Sequence, residues 1–136
     1  MANTVDVKTL FNGRRTKVFH LYGVIDTAES DVAKIDISTF TTPLGAVATY
    51  TAVDKIEFSV SGAGFVTLEW DHTTDDEIAV LAGQGCIDWT PMGGNIDPRT
   101  TGGTGDILLS TVGATAAISG TNIITYDITI YVRMKA

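Results

Sequence analysis

The sequence has little of what protein chemistry most often requires. It holds two histidines, His20 and His72, and one cysteine, Cys86. A lone cysteine excludes an intramolecular disulfide and fits synthesis in a reducing cytoplasm. No apolar run approaches the roughly 20 residues of a membrane helix, the opening MANTVDVKTL lacks the apolar stretch of a signal peptide, and no Asn-x-Ser/Thr acceptor occurs. These absences predict a soluble intracellular product. Cations are scarce as well: nine Lys and Arg against 16 Asp and Glu leave a net charge of -7. That balance opposes nucleic-acid binding, where lysine and arginine supply most of the affinity for phosphate. The few cations are unevenly placed. Lys8, Arg14, Arg15 and Lys17 stand against Asp6 alone near the amino terminus, whereas Glu69, Asp71, Asp75, Asp76 and Glu77 gather in the middle of the chain.

What is present is a core. With 136 residues, 44% of them hydrophobic, the chain is one domain's length and apolar enough to fold without staples. Its apolar residues recur with period two, the spacing of a half-buried strand. Val5, Val7 and the Leu10-Phe11 pair lead into Asn12-Gly13, a pair suited to a tight hairpin turn. Val18, His20, Tyr22 and Val24 then alternate with Lys17, Phe19 and Leu21. A loop at 26–31 precedes a strand over Val32 to Ile37, and a Pro43 and Gly45 connection follows. Ile56, Phe58 and Val60 alternate with Lys55, Glu57 and Ser59; Gly62-Ala63-Gly64 predicts a hairpin into Val66, Leu68 and Trp70. The polar turn Asp71 to Asp76 and a second short hairpin connection at Gly83-Gln84-Gly85 come next. Thr90 to Gly105 reads as a long Gly/Pro-rich loop, functional or mobile. Ile107 to Thr111 is a strand, 113–121 a small-residue connection, and Ile124, Tyr126, Ile128, Ile130 and Val132 mark the clearest strand of all. Eight to ten short strands without a convincing helix predict a single all-β domain over 1–136, an antiparallel β-sandwich of jelly-roll or Greek-key kind. Exposed sheet edges in such a fold favour a homo-oligomer.

No motif carries chemistry. His20 alternates with Val18 and Tyr22, the position of a semi-buried strand histidine, and no Gly-x-Ser-x-Gly elbow accompanies Ser59, Ser61 or Ser110. The acidic turn offers oxygens at alternate positions, as a calcium loop does, but lacks the glycine and spaced glutamate of an EF-hand; a solvated turn is the better account. His72 and Cys86 have no paired zinc ligand. Gly62-x-Gly64 and Gly83-x-Gly85 precede strands, whereas a phosphate loop needs a helix amino terminus. The expectation is therefore a non-enzyme with no catalytic residue, metal or cofactor. A glycan-binding module with Trp70, Trp89 or Tyr131 as stacking platforms is the alternative from another class, although Trp70 shares the core face of Val66 and Leu68.

The run GRRTKVFHLYGVIDTAESDVAKIDIS from Gly13 to Ser38, the run LEWDHTTD from Leu68 to Asp75, Gly105-Asp106-Ile107-Leu108 and the closing strand resemble small structural proteins of tailed bacteriophages, a group that includes head decoration (cement) proteins. The likeness touches most of the chain and contains no catalytic signature. Where those relatives often carry Asp-Gly-Pro-Arg, this chain has Asn12-Gly13-Arg14-Arg15: Gly13 and Arg15 match, and a second cation replaces the proline. The resemblance implies a non-enzymatic protein on the outer surface of a phage head. Its partner is the major capsid protein, and it works as a homo-oligomer, trimer ahead of dimer because capsid lattices offer three-fold positions. No nucleic acid or membrane is implied as a partner. A tail or baseplate component is the neighbouring alternative. With such a partner, the charge asymmetry makes Arg14, Arg15 and Lys17 the capsid-contact candidates, within a candidate docking segment 1–17, and leaves Asp71 to Glu77 facing solvent. The 90–105 loop is expected to order against a neighbouring subunit.

Overall fold

A computed structural model describes residues 4–13, 16–25, 30–37, 45, 50–62, 64–72, 75–96, 103–112 and 123–135. Their strands are β1 (Thr4–Asn12), β2 (Thr16–Ile25), β3 (Val32–Ile35), β4 (Tyr50–Gly62), β5 (Phe65–His72), β6 (Asp76–Leu81), β7 (Gly83–Asp88), β8 (Asn95–Ile96), β9 (Gly103–Val112) and β10 (Ile124–Lys135). They form two antiparallel sheets. Sheet A runs β1-β2-β10-β4-β7, with β8 also on β4; sheet B runs β3-β9-β5-β6.

Setting β1 and β8 aside, the remaining strands pair as a nested set: β2 with β10, β3 with β9, β4 with β7 and β5 with β6. That is a long antiparallel hairpin folded over on itself, the double Greek key of a jelly roll. Two further ladders, β10 on β4 and β9 on β5, close the sheets.

The apolar face of each sheet supplies half of the core. Ile124, Tyr126, Ile128, Ile130 and Val132 of β10 are buried alongside Phe19, Leu21, Val53, Ile56 and Val60 from sheet A. Val66, Leu68, Trp70, Ile78, Leu81, Ile107 and Leu109 meet them from sheet B. Each fully buried side chain of this size contributes about 1.5–3 kcal/mol. Trp70 is 2% exposed, and its indole N–H donates to Thr51 Oγ1 at 3.2 Å. This bond joins the two sheets through the core and satisfies the one polar atom that the indole buries.

Two turns that the sequence predicts as hairpins are corners between sheets. Gly62-Ala63-Gly64 links β4 in sheet A to β5 in sheet B, and Ala82 links β6 in sheet B to β7 in sheet A. Alternation fixes which face of a strand is apolar, but two such strands bury those faces equally well side by side or face to face. Gly62 suits the sharper course. Its φ is +119°, and a Cβ there would lie 2.0 Å from the Ile123 carbonyl oxygen. Gly83, at φ +72°, redirects the chain after Ala82.

The expected long loop is also partly built. Thr90–Met92 form a 3-10 turn, Gly94 N–H donates to the Trp89 carbonyl at 2.9 Å, and Asn95 and Ile96 pair with Val53 and Ala52. Arg133 Nε reaches both carboxylate oxygens of Asp54 at 2.9 Å, and its Nη2 donates to the Gly93 carbonyl. Residues 97–102 of that loop, most of 26–31, the Pro43 connection and 113–121 lie outside the described residues.

Candidate functional site

Pairing register lays the outward residues of sheet A in rows. Asp6, Tyr22, Asp127, Ser59 and Gln84 are successive cross-strand partners over β1, β2, β10, β4 and β7. Lys8, His20, Thr129, Glu57 and Cys86 form the next row. Directly opposed residues on antiparallel strands point to the same side, so both rows share the face away from the core.

The side chains of this face bond to one another. Tyr22 O–H donates to Asp6 Oδ2 at 2.8 Å, and His20 Nε2 lies 2.6 Å from Asp127 Oδ1. The His20 and Tyr22 rings are 4.7 Å apart, and the Lys8 ammonium stands 5.4 Å from the Tyr22 ring centre. Tyr131 repeats the arrangement: its hydroxyl donates to Glu57 Oε1 at 3.2 Å while Lys55 Nζ lies 5.3 Å from its ring centre and 3.1 Å from Glu57. The Tyr22 hydrogen bond, then the Val7 amide, hold the Asp6 carboxyl below the usual range. Bonding to Lys55 does the same for Glu57 and raises Lys55 in turn. Two open depressions of about 560 and 550 Å³ cross the face and meet at Ser59 and Asp127.

The opposite face is acidic. Lys34 is the single lysine or arginine in the strands of sheet B. Carboxylate oxygens of Asp31, Glu69 and Asp75 all lie within 4.8 Å of one another. Ser110 on β9 sits between, its hydroxyl 3.2 Å from Asp31 Oδ1 and 3.3 Å from Glu69 Oε1. Burial first, then the charges of Asp31 and Asp75, push the Glu69 carboxyl above the usual range. Asp106, whose Oδ1 accepts from the Ile37 N–H, is raised mainly by burial.

His20 is the half-exposed strand histidine expected. His72 is buried, with Nδ1 2.8 Å from Asp76 Oδ2. Asp71 accepts from Thr104 and Asp75 from the His72 amide, so the carboxylates of the acidic turn take separate partners. Of that turn only Asp75 joins the three-carboxylate group. Its partners Asp31 and Glu69 come from elsewhere in the sequence, and only the β3-β9-β5 pairing announces them. Three carboxylates and a hydroxyl are hard-cation donors in kind, but every one has a protein partner. Within the candidate docking segment, residues 4–12 are an edge strand of sheet A. Arg14 and Arg15 lie outside the described residues. Lys17 is only 5% exposed, donating to Asn12 Oδ1 and, at 2.9 Å, to the Gly13 carbonyl. It falls on the core-facing side of β2, and burial lowers its pKa. It closes the turn, and little of it is left for a capsid.

Comparison of the chain with protein-family models, curated proteins and solved structures finds no match.

Proposed function

We propose that this jelly-roll domain is a non-enzymatic decoration protein that binds the outer surface of a phage head and stabilises contacts between neighbouring shell subunits. The sequence resemblance supplies the setting. The observation that carries the reading is the outer face of sheet A: it is broad and shallow, and Asp6 with Tyr22, His20 with Asp127, and Lys55 with Glu57 are tied in neighbouring pairs. Such a face suits a flat protein partner better than a small substrate, which is usually enclosed in a cleft. Many copies, each with a modest contact, reinforce a shell together.

Glycan binding has weaker support. Trp70 has no exposed ring face, Trp89 is partly buried against the core, and Tyr131 carries a lysine ammonium where a sugar would stack.

The test is the copy number of this chain in purified virions, by quantitative mass spectrometry against the major shell protein. Near parity with the shell is expected. A handful of copies would move the protein to the tail or baseplate, and absence from virions would overturn the reading.

A further inference from the structure

Sheets A and B end in β1, β7, β3 and β6. Three of these edges are poor templates for another strand: β3 has 4 residues, β6 opens with Asp76-Glu77, and β7 carries Gly83 and Gly85. β1 is different. It has 9 residues, pairs with β2 on one side, and has no strand on the other among the described residues. It also exposes apolar side chains: Val5 is 40% exposed, Val7 37%, Leu10 57% and Phe11 56%.

The direction of its free backbone groups can be read from one bond. Val7 N–H donates to Asp6 Oδ1 at 2.8 Å, so this amide points away from β2. In an antiparallel pair, residues alternate between bonding the neighbour and facing away. Val5, Val7 and Thr9 therefore turn their amides and carbonyls to the open edge, while Asp6 and Lys8 bond to β2.

We propose that the occupant of this edge is a second copy of the chain, with β1 pairing antiparallel to β1 of its partner about a two-fold axis at Val7. Charge complementarity selects this register. With Val7 opposite its own copy, Asp6 faces the partner's Lys8 and Lys8 the partner's Asp6, and Val5 faces the partner's Thr9. Sliding by two residues in either direction puts Asp6 opposite Asp6 or Lys8 opposite Lys8, and like charges directly opposed are destabilising. A slip of one residue sets the core face of one copy beside the outer face of the other. In the chosen register the pairs centred on Val7 exchange about six hydrogen bonds, and the Asp6 carboxylate passes from its own Val7 amide to the partner's Lys8 ammonium. Sheet A then runs unbroken through both molecules. The contact is isologous, so it gives a dimer rather than the trimer that three-fold lattice positions suggested. The inference does not depend on the decoration reading.

Sedimentation of the full chain over a range of concentrations up to about millimolar tests it. The expected result is a monomer–dimer equilibrium that Asp6→Lys weakens by about tenfold or more. The exchanged double variant Asp6→Lys/Lys8→Asp should recover it to within about threefold. Val7→Pro should leave a folded monomer, because its lost N–H faces the open edge, where proline is tolerated. A wild-type chain that stays monomeric throughout, or that forms trimers, overturns the proposal. So does a dimer indifferent to Asp6→Lys and Val7→Pro, and a failure of the exchanged variant to recover overturns the register.

Discussion

Glu69→Gln should stabilise the protein at neutral pH and have little effect in acid. Glu69 is partly buried on sheet B beside the carboxylates of Asp31 and Asp75, and its folded pKa is raised, first by burial and then by those charges. Between the unfolded pKa, about 4.3, and the higher folded value, the native state holds more of the Glu69 proton than the unfolded chain does. Wild-type stability from this group is therefore fully present below the unfolded pKa and is lost as pH rises through the folded one. Glutamine removes the titration but keeps an oxygen to accept from Ser110, which now lies 3.3 Å from Glu69 Oε1. Two like charges less than 4.8 Å apart repel by about 1 kcal/mol even in a water-like medium. The site is partly exposed, so that high-dielectric figure is the right scale. The expected gain is about 1 kcal/mol near pH 7.5, or about 4 °C in Tm, falling towards zero near pH 4. Urea denaturation of both proteins at the two pH values, with chelator present, measures the difference and cancels the titration of all other groups. Destabilisation at neutral pH, or an equal difference at both pH values, would refute the argument.

Trp70→Phe should cost about 2–3 kcal/mol, from the cavity left by the smaller ring and the lost indole bond to Thr51. In a double-mutant cycle by urea denaturation, Thr51→Val should show about 1 kcal/mol of coupling to Trp70→Phe, and strict additivity would mean that the inter-sheet bond contributes nothing. On a shell, Arg14→Ala/Arg15→Ala should weaken binding and flatten its salt dependence, whereas Lys17→Met should leave the salt dependence unchanged and lower the melting temperature. Titration of purified shells with each variant at low and high salt separates the two.

The fold was legible wherever one face of a strand is buried. Ile124 to Val132, Val66 to Trp70 and Ile56 to Val60 alternate because a period of two is the only spacing that keeps one side of a strand against a core. What alternation leaves open is which strand lies beside which. That is why Gly62-Ala63-Gly64 and Gly83-Gln84-Gly85 looked like hairpins: a reversal between two apolar-faced strands has the same sequence whether it stays in a sheet or changes sheets. The same ambiguity hid the carboxylate group. Asp31, Glu69 and Asp75 converge only because β9 lies between β3 and β5. Lys17 misled for a different reason. Its charge suggested surface, but its odd position on β2 aligns it with Phe19 and Leu21, and a long side chain can bury its stem while its ammonium bonds the turn.

The proposed β1 pairing would set the cationic turns of two copies along one shared ladder. In an antiparallel pair centred on Val7, the β1–β2 turns of the two copies lie at opposite ends of the shared ladder. Gly13 is six residues from Val7, and at about 3.4 Å per residue the two turns stand about 40 Å apart. A monomer would bring Arg14 and Arg15 to one place on a shell. A dimer would bring the same cations to two places across a span wide enough to reach separate subunits, and binding at the first would raise the effective concentration at the second. On the proposed reading, the symmetry of the strand pairing would let the dimer bridge neighbouring subunits, which one flat face could do only by sitting astride a boundary.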